Sequence, residues 1–263
     1  FVKSAYSAYR ERSLGLGAMG FHSYLQSRRI PFEGIFATGF NYKAFKHIKR
    51  HSVRATERLA DERGESPDIS GSGKRNAHLL AVAPNASSSI ICGGTSPSIE
   101  PYRANVYTHK TLSGSFQVKN KYLEEVLQDK GLKKDELNVL WKDIAGKEGS
   151  VQHLDILTDE EKEVFKTANE IDQIWIVEHA SKRQEFICQA QSVNLFFTIP
   201  TATEPQEVHD EYMQYVNDVH WYGMNKLKSL YYFRTNAARN AENVNTKVQR
   251  IKLDDAECIA CEG

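Results

Sequence analysis

The stretch LLAVAPNASSSII, residues 79–91, contains the change of pattern that decides the fold. Residues 79–83 are a short apolar run that stops at Pro84, and such a run is typical of a buried strand. Small and hydroxylated residues follow, and they open a short helix that ends at Gly93 and Gly94. A buried strand that leads directly into a helix predicts an α/β fold.

Helical and extended patterns alternate on both sides of this stretch. Residues 41–63 place apolar side chains on one helical face, and further helices are predicted at 121–130 and 134–145, each with glycine just past its end. Residues 102–118 are rich in hydroxylated and β-branched types, which predicts extended structure, and residues 192–199 alternate as a strand does. The alternation supports the same α/β class.

Two capping signals predict long helices in the second half of the chain. Thr158 and Glu161 form a capping box, because their side chains can accept free backbone N–H groups at a helix start. The helix that they begin is predicted to run through Trp175. Thr203 is predicted to cap another long helix that continues toward Leu230.

The composition of the 263 residues fits a globular protein and excludes several classes. Hydrophobic residues make up 40% and charged residues 26%, and the formal net charge is zero, so no basic excess points to nucleic acid. No apolar run approaches the roughly 18 residues that a membrane span needs, and four cysteines are too few for a secreted disulfide scaffold. We therefore expect a cytoplasmic protein with neither nucleic-acid nor membrane partners. Hydrophobicity falls after Thr235, so residues 236–263 are predicted to be a flexible tail that follows a domain at 1–235.

Two short patterns match known sites but have simpler explanations. Gly15, Gly17 and Gly20 have the spacing of the dinucleotide-binding fingerprint, yet no hydrophobic strand precedes them, so a glycine-rich turn or close helix packing is favoured. His47 and His51 are four residues apart on one helix, but no nearby carboxylate or cysteine completes a metal site. A solvated basic face is favoured there, and no metal site is predicted in this chain.

The junction between strand and helix at residues 84–89 is a candidate anion-binding site. Hydroxyl groups and free backbone N–H groups meet there, and the helix dipole favours a negative charge at the helix start. Ordinary N-capping by a serine or asparagine side chain is the alternative.

The cysteines fall into two kinds. Cys92 and Cys188 lie in apolar stretches and are predicted to be buried core thiols. Cys258 and Cys261 form a C-x-x-C pair on the polar tail. Such a pair closes reversibly and tends to have a lowered thiol pKa, so a mobile redox pair is favoured over half of a metal site.

Tyr231 and Tyr232 stand next to each other, near the end of the last predicted helix. Two aromatic residues in that position usually pack against a core. Stacked tyrosines can also relay an electron together with a proton, because oxidation of a phenol is coupled to loss of its O–H proton. The spacing by itself leaves both interpretations open.

These features occur in the same order in the large subunits of class I ribonucleotide reductases, which the chain resembles over nearly its whole length. The resemblance lies in the blocks 84–91 (PNASSSII), 96–102 (SPSIEPY), 105–108 (NVYT), 112–116 (LSGSF), 189–195 (QAQSVNL) and 223–235 (GMNKLKSLYYFRT). It implies that the chain forms the C-terminal portion of a ten-stranded α/β barrel, with additional helices and the flexible tail.

The resemblance implies a role for each group. Tyr232 would face a radical-generating small subunit that carries a di-iron tyrosyl-radical centre, and Tyr231 would pass the oxidation to an active-site cysteine. Cys258 and Cys261 would reduce the active-site disulfide after each turnover and be re-reduced by thioredoxin or glutaredoxin. The loop that holds the diphosphate of a ribonucleoside diphosphate would consist of Pro84, Asn85, Ala86, Ser87, Ser88 and Ser89.

The chain departs from the family pattern in what it lacks. The thiyl-forming cysteine and the reducing cysteine pair of the family lie in earlier parts of the chain, and neither Cys92 nor Cys188 matches them. We therefore expect ribonucleotide reduction only together with the N-terminal part of the large subunit and the small subunit, with no cofactor on this chain. Two alternatives are a non-catalytic scaffold that binds nucleotide or small subunit, and a stand-alone thiol–disulfide protein that uses Cys258 and Cys261.

Overall fold

The computed structural model of the protein describes residues 1–111 and 114–235. In these ranges the helices are α1 (Val2–Glu11), α2 (Phe21–Ser27), α3 (Ile35–Arg63), α4 (Ala86–Ile91), α5 (Lys121–Asp129), α6 (Lys134–Gly146), α7 (Asp159–Val164), α8 (Gln173–Gln184) and α9 (Gln206–Lys226), with a 3-10 turn at Pro67–Ile69. The strands are β1 (Val106–Thr111), β2 (Gly114–Lys119), β3 (Leu195–Phe197) and β4 (Phe233–Thr235). The predicted α/β class is confirmed.

Four extended segments lie side by side in parallel and form the strand group. Its members, in spatial order, are residues 14–16, 79–82, 189–197 and 231–235. Leu16 pairs with Leu80, and Val82 pairs with Gln191. The third and fourth segments pair through β3 and β4. Spatial order follows chain order, and within the described residues the group stays open rather than closing into a barrel.

The main hydrophobic core lies between the strand group and the helices α2, α3, α8 and α9. Helix α3 packs along α8, and α8 packs against α9. Burial of each large apolar side chain contributes about 1.5–3 kcal/mol to stability. The core includes the buried side chains of Phe21, Leu25, Phe32, Leu80, Val177, Leu195 and Phe196.

In the sequence, residues 105–165 come between the second and third segments of the strand group. They form a second unit, which we call the insert. Its antiparallel hairpin joins β1 to β2, with Val106 opposite Lys119, and helices α5, α6 and α7 follow. The side-chain amide of Asn120 donates to Gln26 Oε1 at 2.8 Å, and this hydrogen bond links the insert to α2. The insert has its own core, which includes Leu123, Leu127, Trp141, Ile144 and Phe165.

Helices α5 and α6 begin where the sequence predicts and end within one residue of the predicted ends. The side chain of Asn120 caps α5 by accepting the N–H of Tyr122 at 3.1 Å. Glu136 folds back at the start of α6 and accepts the N–H of Lys133 at 2.8 Å. These local bonds satisfy backbone donors that have no partner inside the helix.

The capping box at Thr158 is confirmed, but the length predicted for its helix is wrong. Thr158 Oγ1 accepts the N–H of Glu161 at 3.3 Å, and Glu161 Oε2 accepts the N–H of Thr158 at 2.8 Å. The helix nevertheless ends at Val164. A separate helix, α8, begins at Gln173, because Asp172 caps its first turn with its own side chain.

The last helix also differs from the prediction at both ends. Helix α9 begins after Pro205, which occupies the N-cap, so Thr203 is not its cap. The helix ends before Tyr231, and Tyr231 and Tyr232 are extended rather than helical. The reason is strand pairing, since the N–H of Tyr231 donates to the carbonyl of Val193 at 2.9 Å.

Within the glycine-rich stretch, Gly15 and Gly17 lie beside the strand pairing of Leu16, whereas Gly20 turns the chain into α2 as its N-cap, with a φ of 83°. Gly15 and Gly17 flank Leu16, which pairs with the second segment. A Cβ atom at Gly17 would lie 2.7 Å from the carbonyl oxygen of Ala81, so the close approach of the two backbones requires glycine.

The two cysteines predicted to be core thiols differ in burial. Cys92 is exposed directly after α4, so the prediction is wrong for this residue. Helix α4 is short and lies at the surface, where only Ser89 is buried. Cys188 is half-buried, and its sulfur accepts the N–H groups of Leu79 and Leu80 at 3.1 Å and 3.3 Å.

Candidate functional site

The predicted substrate loop lies at the carboxyl end of the second segment of the strand group, where α4 begins. Asn85 is the N-cap of α4 with a φ of 53°, and its side chain makes no capping bond. Ser89 is buried, and its hydroxyl donates to the carbonyl of Ala86 at 2.7 Å. Ser87 and Ser88 are exposed. Because the first N–H groups of a helix lack intrahelical acceptors, the open part of the loop is its first turn.

Tyr231 and Tyr232 form a contacting pair beside the third segment of the strand group. Their ring centroids are 4.0 Å apart, and the side chains are 46% and 51% exposed. The hydrogen bond with Tyr232 raises the pKa of Tyr231. The backbone is fixed by strand pairing, since Tyr231 donates to Val193 and the N–H of Leu195 donates to Tyr232, both at 2.9 Å. The phenols are therefore accessible while their backbone is held.

Two cavities bring the substrate loop and the tyrosine pair together. The first has a volume of about 470 Å³ and is lined by Ala86 and Ser89 of the loop and by Tyr232. The second, of about 370 Å³, is lined by Pro84 and Tyr231. Residues that are far apart in the sequence thus meet at one place in the fold.

Charged groups that the motifs did not identify lie at the first cavity. Arg103 and Arg234 line it, and the guanidinium carbon of Arg234 lies 5.1 Å from the ring centre of Tyr232. Burial raises the pKa of the Glu100 carboxyl to about 7, while a hydrogen bond from Asn194 and the charges of the two arginines act in the opposite direction. The two cations favour an anionic occupant of the cavity.

The sequence does contain a signal for two of these residues. Glu100 stands between Ile99 and a proline, and Asn194 stands between Val193 and Leu195. A polar side chain that is flanked by core residues is buried with its backbone and needs a hydrogen-bonding partner. Glu100 and Asn194 are each other's partner, since Asn194 Nδ2 donates to Glu100 Oε1. No comparable signal exists for Arg103, which lies in a loop, or for Arg234, which lies in β4.

The other predicted groups lie elsewhere. Cys258 and Cys261, with the rest of residues 236–263, fall outside the described residues. His47 and His51 are exposed on α3 with ring centroids 4.2 Å apart. Across residues 1–111 and 114–235, no group of three or more His, Cys, Asp or Glu side chains is arranged to hold a metal ion. In the same part of the chain, no helix has the length and apolar character needed to cross a membrane.

Comparison with known proteins gives consistent matches. A family model described as "Ribonucleotide reductase, barrel domain" matches residues 1–72 and 66–233. The ribonucleoside-diphosphate reductase large subunit of Invertebrate iridescent virus 3 is 42% identical over 265 residues, which cover 99% of this chain and 40% of the viral protein. The protein of the same name from Invertebrate iridescent virus 6 is 41% identical over 91% of this chain and 24% of its own length.

A solved structure also matches. The Actinobacillus ureae class Id ribonucleotide reductase alpha subunit has a TM-score of 0.72 and 40% identity, over 88% of this chain and 40% of its own. This chain therefore spans at most 40% of the length of these three relatives. The family model covers the substrate loop and both tyrosines. The chain belongs to the ribonucleotide reductase barrel-domain family.

Proposed function

We propose that the chain is the C-terminal part of the large subunit of a cytoplasmic ribonucleoside-diphosphate reductase. It acts together with the remaining part of that subunit and with a radical-generating small subunit. Family membership and the names of the viral relatives support this proposal. Because the chain spans less than half of those relatives, the activity belongs to the assembly.

The proposed reaction replaces the 2′-hydroxyl of a ribonucleoside diphosphate with hydrogen and releases the hydroxyl as water. Two thiols supply the two electrons and two hydrogens, and they become a disulfide. Residues 84–89 bind the diphosphate, since the first turn of a helix presents N–H groups to an anion. Cys258 and Cys261 return the disulfide to thiols by exchange and are themselves reduced by thioredoxin or glutaredoxin.

The tyrosine pair carries the oxidising equivalent in this proposal. A phenol that loses one electron and its hydroxyl proton becomes a neutral radical, and it regains both when its neighbour is oxidised. Tyr232 receives the oxidation from the small subunit, where we expect a di-iron tyrosyl-radical centre, and Tyr231 passes it to a cysteine of the remaining part. The contact between the rings, at 4.0 Å, supports direct exchange between them.

One observation carries the proposal. The predicted substrate loop and the tyrosine pair line the same two cavities, with Ala86 and Tyr232 lining the first and Pro84 and Tyr231 lining the second. A scaffold that only binds nucleotide needs the loop, but it has no use for two accessible phenols in contact beside it. A relay of oxidation toward a bound substrate needs both.

The test is reduction of a ribonucleoside diphosphate by the complete assembly. Tyr231→Phe and Tyr232→Phe keep the rings but remove the hydroxyls, so each is expected to lower turnover to the level found without small subunit. Tyr42→Phe is the matched control, since Tyr42 packs on Phe186 away from both cavities, and it is expected to retain full turnover. Full turnover by Tyr231→Phe would remove the radical path from the proposal.

The tail cysteines are tested separately by the choice of reductant. The double variant Cys258→Ser and Cys261→Ser is expected to lose turnover with thioredoxin or glutaredoxin, because protein reductants act through the tail. It is expected to keep turnover with a small dithiol that reaches the active-site disulfide directly. Equal loss with both reductants would contradict the shuttle role.

A further inference from the structure

A buried polar pair lies against the backbone of the tyrosine pair. Glu100 is 7% exposed and Asn194 is 2% exposed. Asn194 Nδ2 donates to Glu100 Oε1, and Asn194 Oδ1 accepts the backbone N–H of Tyr232 at 3.2 Å. The Asn194 side chain therefore bonds Glu100 through its nitrogen and Tyr232 through its oxygen, and it connects the Glu100 carboxylate to the backbone of Tyr232.

This connection adds to the strand pairing at the same place. The pairing fixes the N–H of Tyr231 and the carbonyl of Tyr232, each at 2.9 Å from its partner. The N–H of Tyr232 donates instead to the Asn194 side chain. The orientation of the peptide between the two tyrosines therefore depends on how Asn194 is held, and Glu100 holds it.

Charge links the same residues. The Arg234 guanidinium lies over the Tyr232 ring, and the charges of Arg234, from β4, and of Arg103, from the loop after Glu100, act on the Glu100 carboxylate. When Glu100 is ionised, its charge offsets a cation that lies on a ring. When it is neutral, that cation is unbalanced, and an unbalanced cation on the ring opposes removal of an electron from it.

We propose that Glu100 is a positioning residue for the tyrosine pair, acting through Asn194 on the Tyr232 backbone and through Arg234 on the Tyr232 ring. This inference rests on the proposed function of the pair in radical transfer. Glu100 does not exchange a proton or an electron in it. The carboxylate sets the geometry and the electrostatic surroundings of a group that does.

The first measurement needs no turnover. ¹⁹F NMR of fluorotyrosine at position 232 of the assembled large subunit reports the electrostatic surroundings of that ring through its chemical shift. Glu100→Gln keeps the shape and the hydrogen-bond acceptor but removes the charge, and it is expected to move that chemical shift. Arg234→Gln removes the opposite charge and is expected to move it in the opposite direction, and the double variant is expected to return close to the native value.

The second measurement is turnover against pH in the complete assembly. In the native protein we expect turnover to rise as Glu100 ionises, through a pH of about 7. Glu100→Gln is expected to lose that rise. Glu33→Gln is the matched control, because Glu33 is also partly buried and hydrogen-bonded, to Lys166 and to the N–H of Asp172, but lines neither cavity.

A third variant removes the side chain that joins Glu100 to the Tyr232 backbone. Asn194→Ala loses both side-chain hydrogen bonds, and because only one of them holds Tyr232, turnover is expected to fall about tenfold, the size of one lost buried hydrogen bond. It is also expected to broaden the ¹⁹F line of position 232, because the phenol samples more orientations. A sharp line together with native turnover would show that the peptide does not need Asn194.

The outcomes separate this inference from the proposed function. If Tyr231→Phe abolishes turnover while the charge variants leave the ¹⁹F chemical shift and the pH profile unchanged, the inference is overturned and the radical path stands. If Tyr231→Phe retains turnover, the radical path fails. The ¹⁹F chemical shift then still decides whether Glu100 and Arg234 act on Tyr232 with opposite signs.

Discussion

The region around the strand group and the insert differ in the kinds of side chain that they bury. The insert packs Trp141, Leu127 and Ile144 into an apolar core, and among its described residues the buried polar side chains are Asn105 and Asn120. Outside the insert, many more polar side chains are buried. Those with less than 3% exposure among the described residues are His22, Ser23, Gln26, Asn41, Thr56, Ser66, Ser96, Ser98, Gln173, His179, Arg183, Gln191 and Asn194.

Arg183 shows what the polar groups do. It is 1% exposed, and burial lowers the pKa of its guanidinium to about 9. Its partners are neutral amides, with Nε donating to Gln191 Oε1 at 2.6 Å and Nη1 donating to Asn41 Oδ1 at 3.0 Å. These bonds join α8 to α3 and to the third segment of the strand group. The region with the candidate site thus adds a network of buried directional bonds to its apolar core, whereas the insert is held mainly by apolar packing.

The largest effect expected from this difference is a local one. Trp141→Ala removes the largest fully buried side chain of the insert and should cost about 4 kcal/mol, since truncation of a buried aromatic leaves a cavity. Hydrogen exchange should show loss of protection in residues 105–165, while the strand group keeps its protection.

Trp221→Ala is the control for that experiment, because Trp221 is exposed on α9. Its substitution should change the free energy of unfolding by less than about 0.5 kcal/mol. Equal loss of protection in the strand group of Trp141→Ala would show that the two regions unfold as one, and the comparison would fail.

The same difference explains what could be predicted from the sequence. The starts of helices in the insert depend on residues that are close in the sequence, such as the Asn120 cap of α5 and the capping box at Thr158. Local signals predicted both ends of α5 and α6, but for α7 they predicted only the start. After α7 the chain turns and buries Phe165. The N–H of Ala168 then donates to the carbonyl of Tyr102 at 2.8 Å. Because Tyr102 is distant in the sequence, the residues near Ala168 do not predict this contact.

The strand group could be predicted only in part, because its pairings join distant residues. The run at 79–83 was recognisable as a strand, but Gly17 was not, since its partner Ala81 decides its role. The resemblance selects residues 84–89 as the predicted substrate loop and Tyr231 and Tyr232 as the predicted radical pair. The pattern around Glu100 indicates only that it is buried with a partner, and the position of Glu100 and Arg234 beside Tyr232 depends on the folded chain.

A second test uses the two buried histidines of the strand-group region. Burial lowers the pKa of His22 to about 3 and of His179 to about 4, from an ordinary 6.5. The unfolded chain therefore binds more protons than the folded one below pH 6.5, so stability is complete above that pH and falls toward pH 4. Each histidine contributes up to about 1.4 kcal/mol per pH unit, and acidification from pH 6 to pH 5 should cost about 2.5 kcal/mol for the two together.

Urea unfolding at several pH values measures that slope. His22→Gln should remove about half of it, because one of the two titrating groups is gone. Hydrogen exchange at pH 5 should show the loss around α2 and α8 before the core of the insert. An unchanged slope in His22→Gln would show that this histidine is not protonated on unfolding, and that its burial has no part in the acid sensitivity.

The smallest expected effect compares two helix starts. Thr158 caps α7 with its side chain, whereas Asn85 begins α4 in a left-handed conformation without a side-chain bond. Thr158→Ala should therefore cost about 1 kcal/mol. Asn85→Gly should change the free energy of unfolding by less than about 0.5 kcal/mol, because glycine adopts that conformation without strain.

Urea unfolding of the two variants gives this comparison directly. A cost at Asn85→Gly equal to that of Thr158→Ala would mean that the asparagine side chain stabilises the fold. With a small cost, stability and binding are separable at this position. A weaker affinity of Asn85→Gly for a ribonucleoside diphosphate would then report on the site itself, since the backbone that presents the first turn of α4 is unchanged.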